Sequence, residues 1–322
     1  MSVSPALPAR SLSTSVLAPP RRFARWPIAF PAILAVCLAR LWVAPLGSSF
    51  WVDELVTRFV VRHGAGDNSL KVAPQVAESI YYVWPAVMER LFGFSETVYR
   101  LPSLIFMGAA LWIVASIAKR SIHPRAGWFA VFTCLALRNF NYQAADARPY
   151  ALGTMLAAFG FWMLARWLDR GSWRPGAAFA LAGTLLWRTH LIYWPVYIGF
   201  AVYACYRLAA RSARVPRLEV AAVFAVIGVS LAPVASTAMA IQRDAAAHVV
   251  ADKPGLSDLT GALALNLVTP LCAAAALMAR RHRWIAPRLR MDWALIFCWW
   301  LCQPAGLFAF SWITGHSVFV GR

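Results

Sequence analysis

The stretch SIYYVWPAVMERLFGF, residues 79–94, decides the architecture, because it is apolar enough to be counted as a membrane crossing yet is broken by Pro85, Glu89 and Arg90. Counted as a span, it reverses the side of every later loop. Set aside, it leaves basic loops on one side throughout. It therefore reads as an amphipathic helix lying in the outer interface, its aromatic rings at headgroup depth. Outward from it, apolar runs place spans at roughly 27–45, 101–118, 126–142, 150–166, 176–190, 194–206, 218–240, 259–279 and 292–311, about nine crossings. The fold class expected is an all-α polytopic membrane protein.

Composition excludes a soluble enzyme. Of 322 residues, 61% are hydrophobic and 14% charged, too few charges to coat a water-facing surface of this size. The net charge of +18 would suit a nucleic-acid partner, but the positive residues sit in short clusters between apolar runs. With the N-terminus cytoplasmic, the inner segments carry Arg10, Arg21, Arg22 and Arg25, then Lys119, Arg120 and Arg125, then Arg166, Arg170 and Arg174. The later inner segments carry Arg207, Arg211, Arg214 and Arg217, then Arg280, Arg281, Arg283, Arg288 and Arg290, in all 19 of the 31 Lys and Arg. The asymmetry recurs at every inner loop, so orientation explains the charge and no nucleic acid is called for. Of the 13 acids, only Asp169, Glu219 and Asp292 fall inside.

Residues 1–25 are rich in Ser, Pro and Arg without an acid, and read as a disordered cytoplasmic tail before an uncleaved signal anchor. The remainder, 26–322, reads as one transmembrane domain whose first extracytoplasmic loop is 46–100. Cys37, Cys134, Cys205, Cys272, Cys298 and Cys302 all fall within proposed spans without metal-ligand spacing, which points to packing. There is no Walker loop, GxGxxG or HExxH, so nothing suggests ATP, nicotinamide or structural zinc.

Two polar concentrations stand out on the outer side. WVDELVTRFV, residues 51–60, puts Asp53 and Glu54 just beyond the first span, where a lipid-linked substrate would present its headgroup. RNFNYQAADARPYAL, residues 138–152, puts Asp146 and Arg148 at the edge of hydrocarbon, a costly position unless they face protein or a wet cavity. Pro149 suits the first turn of a helix whose amides would face an anion. A solvated loop, with Asp146 capping the helix or pairing with Arg148, is the plainer alternative.

The order FWVDE, then YYVWPAVMERLFGFSETVYRLPSLIF, then YQAADARPYAL resembles the GT-C membrane glycosyltransferases related to protein O-mannosyltransferases and aminoarabinose transferases. The resemblance covers 50 to about 155 and weakens beyond. It implies a polyprenyl-phosphate sugar donor, an acceptor met on the extracytoplasmic side, and an acidic pair in the first outer loop at the active site. Carried over, Asp53 matches the key acid, Glu54 its neighbour, and Asp146 a second acid that assists at the site or binds a metal.

The residue types suit that chemistry. Moving a glycosyl group off phosphate needs a carboxylate near the nucleophile and positive charge near the departing phosphate. Asp53 is the candidate general base. Arg58, Arg100, Arg148 and Arg188, with Tyr150, are candidates for binding the donor. Arg188 and His190 could instead anchor a span end. A divalent cation, Mg or Mn, could be held between Asp53 and Asp146, although two distant carboxylates are slight evidence for one.

The sequence departs from the family at two places. VAESIYYVWP stands where relatives carry His-Pro-Pro or Lys-Pro-Pro, leaving roles for Glu78 and His63 open. SWITGHSVFVGR stops where relatives continue into further spans, which reads as truncation or as a short member, truncation being preferred. Abundant Ala and Arg suggest a bacterial origin, hence undecaprenyl phosphate as carrier and the inner membrane as location. A transporter or flippase of a lipid-linked sugar, and an inactive membrane scaffold, are the alternatives. Against them stand acids gathered on one face and no paired interrupted helices in related halves.

Overall fold

The computed structural model describes residues 26–72, 79–244, 252–281 and 293–317. The N-terminal tail, Glu78 and the C-terminal Arg322 lie outside the described residues, as do most of the arginines in 280–290. Of the described residues 84% are helical, and no strand occurs among them.

Helix α1 (Trp26–Leu38) widens into a π-helical turn (Ala39–Val43) and then tightens into a 3-10 turn (Ala44–Gly47). There follow α2 (Val52–His63), a 3-10 turn (Ile80–Tyr82) and α3 (Val83–Phe92), then the long α4 (Glu96–Ser121). Next come α5 (Ala126–Ala136), α6 (Arg138–Ala144), α7 (Tyr150–Arg170), α8 (Trp173–Thr189) and α9 (Trp194–Ala209). The remainder comprises α10 (Arg217–Ser230), α11 (Ala232–Arg243), α12 (Leu256–Ala262), α13 (Leu265–Arg281) and α14 (Trp293–Thr314).

Each of the nine expected spans coincides with helix, but the nine-span count does not carry over. Among the described residues, four stretches are long and apolar enough to cross a membrane: 28–47, Glu96–Ser121, Tyr150–Arg170 and Trp293–Thr314. Two bent pairs, α10 with α11 at 52° and α12 with α13 at 56°, raise the number to six. The expected span at 126–142 is broken at Leu137, whose backbone is extended. Asn141 stabilises the break by donating to the carbonyls of Leu135 and Leu137 at 2.7 and 3.1 Å, while Trp42 Nε1 donates to its oxygen at 2.9 Å. The 11 residues of α5 rise about 16 Å, half a bilayer core.

Helix α7 is the hub, packed on α4, α8 and α9. Its glycines let rings approach the backbone: Gly153 lies against Tyr193 and Gly160 against Phe200, where a Cβ would overlap the ring. Trp167, Leu164, Phe179, Phe200 and Tyr203 fill the centre. Gly171 ends α7 in the left-handed region at φ 70°, donating to the Trp167 carbonyl at 2.8 Å. Helix α14 packs on α9, with Cys298 and Cys302 beside Gly199. All six cysteines are free.

Helix α3 forms as the aromatic stretch implies, and its Glu89 is partnered. Glu89 takes Arg62 at 3.1 Å and the Tyr99 hydroxyl. The other face leaves Val83, Trp84, Val87, Leu91 and Phe92 exposed.

Candidate active site

The two outer polar stretches come together. Backbone amides at the start of α2 need acceptors, and the Glu54 carboxylate supplies one by bonding the Trp51 N–H at 3.3 Å. Glu54 itself is fully buried and accepts Arg100 Nε at 2.7 Å and Nη2 at 2.5 Å. Its Oε1 also accepts the Ala147 N–H at 2.8 Å. One carboxylate thus ties the first turn of α2 to the first turns of α4 and to the Asp146–Ala147–Arg148 segment.

Arg100 completes the knot. Its Nη1 reaches the carbonyls of Leu46 and Ser48 at 2.9 and 2.6 Å, and its Nη2 the Ser49 carbonyl at 3.2 Å. All five guanidinium protons are engaged within the protein, leaving none for a phosphate. Glu54 and Arg100, expected from sequence as a catalytic acid and a donor-binding cation, thus hold each other and the backbone around them. Both residues have the charge a site needs, and only geometry shows that each neutralises the other.

Asp146 and Arg148 straddle this knot. Asp146 is 2% exposed, its Oδ1 accepting Trp51 Nε1 at 3.2 Å while its buried Oδ2 meets no hydrogen-bond donor of the protein. Burial pushes its carboxyl up to about 7, the Trp51 bond opposing and the neighbouring Glu54 adding to the rise. Arg148 donates Nη1 to the Asp53 carbonyl at 3.0 Å and keeps a buried Nε without a hydrogen-bond partner. Its guanidinium lies 5.7 Å from the Tyr150 ring. Asp53 is half-buried beside it, and the two charges interact.

The wall is aromatic. The fully buried Tyr81 faces Asp146 and Arg148, with Ser103 beside its hydroxyl. Tyr82 is also buried, its hydroxyl pushed up to about 12 by burial, with Arg148 opposing. Tyr150 packs on the His190 ring at 5.0 Å, and its carbonyl accepts the Tyr193 hydroxyl at 2.8 Å. Trp51 and Tyr81 are additions to the residues singled out from sequence. The only signal for them was adjacency to FWVDE and to the YY pair.

Two expected donor-binding residues stand apart from this cluster. Arg58 lies along α2 with its guanidinium 3.6 Å over the Phe94 ring and its Nε buried without a hydrogen-bond partner. Arg188 donates Nη2 to the Ser230 carbonyl at 2.7 Å, at the C-terminal end of α10 where a cation offsets the helix dipole. Among the described residues no three of His, Cys, Asp and Glu converge as metal ligands.

Residues 80–236, just under half the chain, match the model of the family described as dolichyl-phosphate-mannose-protein mannosyltransferase. The match contains Arg100, Asp146, Arg148, Tyr150 and Arg188 and begins after Asp53, Glu54 and Arg58. No curated protein and no solved structure matches the chain.

Proposed function

We propose that this chain, whose residues 80–236 match the mannosyltransferase family model, is a GT-C-type, glycosyltransferase family 39-like membrane protein that transfers a sugar from a polyprenyl-phosphate donor to an acceptor on the extracytoplasmic face. The observation that carries this reading is the strapping of Asp146–Ala147–Arg148 across the first turn of α2. It gathers Asp53, Asp146 and Arg148 from segments more than 90 residues apart. Burying such groups together costs free energy that packing alone would not select.

In this reading Asp53 takes the proton of the incoming acceptor hydroxyl or amine as its oxygen or nitrogen attacks the anomeric carbon. The bond to the donor phosphate breaks, and the phosphate leaves with the electron pair beside Arg148, whose Nε is available to it. Asp146 assists as the second acid. The face of α3 carrying Trp84, Leu91 and Phe92 would lie in the outer interface and meet the polyprenyl chain. A bacterial inner membrane and undecaprenyl phosphate belong to the same reading.

A divalent cation would be held by Asp53 and Asp146 and would supply charge neutralisation at the departing phosphate. No third protein carboxylate or imidazole joins them among the described residues. The buried Oδ2 of Asp146, without a donor, is compatible with such a contact.

The bent pairs α10–α11 and α12–α13 favour a flippase as the second reading, since broken helices are frequent in transporters. Both breaks, however, fall at apolar residues, Leu231 and Leu263–Ala264, where a coordinating site would need polar ones.

The test is release of polyprenyl phosphate from a panel of polyprenyl-phosphate sugars by the protein in lipid nanodiscs, wild type beside Asp53→Asn, with Mg or Mn and with chelator. Release that needs Asp53 supports the transferase. Movement of intact donor between leaflets without release supports the flippase.

A further inference from the structure

At the end of α7 opposite Tyr150 lies an open cleft of about 670 Å³, lined by Met163, Arg166, Arg170, Ser172, Trp173 and Arg174. Helix α7 has 21 residues, so about 30 Å separates the cleft from the candidate active site, close to the thickness of a hydrocarbon core. None of these residues belongs to the glycosyl-transfer machinery proposed above.

Charge is out of balance here. The nearby carboxylate, Asp169, is committed to Arg207 at 2.6 Å and to Arg120. Among the described residues, Arg166, Arg170 and Arg174 have no carboxylate within ion-pair distance. Arg166 lies 5.1 Å over the Trp162 ring and Arg174 5.9 Å over the Trp173 ring, contacts that orient a guanidinium without neutralising it. Ser172 caps α8 without a side-chain bond, so the first-turn amides of that helix add donors and positive potential at the same mouth. Trp173 stands 71% exposed at the rim, the position that an indole takes at the level of lipid headgroups.

We propose that this cleft binds the phosphate headgroup of an anionic phospholipid from the leaflet facing it. The guanidiniums take the phosphate oxygens, which their planar forks match. Trp173 flanks the glycerol region, and Met163 begins the apolar floor on which an acyl chain rests. A basic pocket between helix ends is the usual geometry for such lipids. A free phosphate ion would meet the same guanidiniums but make no use of the indole or the thioether.

The experiment is native mass spectrometry of the full chain in detergent, titrated with phosphatidylglycerol and with phosphatidylcholine of the same acyl chains. Wild type should retain phosphatidylglycerol with at least about tenfold preference, and Arg166→Gln/Arg170→Gln/Arg174→Gln should lose that preference while Asp53→Asn keeps it. Should the triple variant fail to fold, the exposed Arg174→Gln alone should cost about fivefold. Equal retention of the two lipids, or preference unchanged in the folded variants, overturns the proposal. Displacement of phosphatidylglycerol by millimolar inorganic phosphate, with no dependence on acyl chains, would reassign the cleft to a soluble anion and overturn it equally.

Discussion

Glu54 and Arg100 meet through two side-by-side hydrogen bonds, Nε to Oε1 at 2.7 Å and Nη2 to Oε2 at 2.5 Å, with neither side chain meaningfully exposed. Removing one partner leaves the other as a buried, unpaired charge, which costs about 3–5 kcal/mol. Arg100→Ala should therefore lower the unfolding temperature in detergent sharply. Arg100→Lys should not restore it, because an ammonium cannot span two carboxylate oxygens and the four carbonyls from Pro45 to Ser49. An Arg100→Lys protein with wild-type stability would mean that charge alone is needed there.

The neighbouring acids should separate cleanly by assay. Asp53→Asn changes one half-buried atom and should leave thermal stability within a few degrees while reducing polyprenyl phosphate release at least about 100-fold, the scale of a lost general base. Glu54→Gln should lose stability first, because the amide cannot accept from Arg100, Ala147 and Trp51 together. Activity of Asp53→Asn within threefold of wild type would remove it as the base.

How much of this was legible in the sequence follows the physics. Helix positions were readable because apolar runs of spanning length have one explanation, and 101–118 and 150–166 fall within α4 and α7. The break at Leu137 was not, since it depends on Asn141 bonding backward to Leu135 and on Trp42 approaching from 99 residues away. In the site, the sequence pointed to the two stretches that do meet, but charge type alone could not divide positioning residues from available ones. Glu54 and Asp53 are adjacent letters, yet the helical turn sends one into Arg100 and the other toward Arg148. Arg188 read as an outer-end cation, and its bond to Ser230 spans a pair of helices whose contact no local pattern encodes.

Asp146 gives the fold a pH dependence with a definite sign. Its carboxyl titrates near 7 when folded and near 3.9 when unfolded, so between these values the native state holds the extra proton and stability falls as pH rises. From pH 6.5 to 8.5 the loss should be about 0.8 kcal/mol, and it should vanish in Asp146→Asn. Glu54, Arg100 and Arg148 are the charged groups that face it. A wild-type melting temperature independent of pH there, measured in the same detergent, would place the carboxyl in the ordinary range and leave Asp146 ionised throughout.

Arg148 has two claims on it, and kinetics can divide them. Its Nη1 holds the Asp53 carbonyl at 3.0 Å, an anchoring task, while its buried Nε has no hydrogen-bond partner in the protein. Arg148→Lys retains the charge and can reach one of these positions but not both. If the guanidinium grips the donor phosphate as proposed, KM for the donor should rise about tenfold, equivalent to roughly 1.4 kcal/mol of binding, with kcat much less affected. A fall in kcat at constant KM would instead mean that the residue serves Asp53 alone, because a misplaced base slows the chemical step without changing how the donor is held. Steady-state release of polyprenyl phosphate, measured across donor concentration for wild type and variant, distinguishes the two.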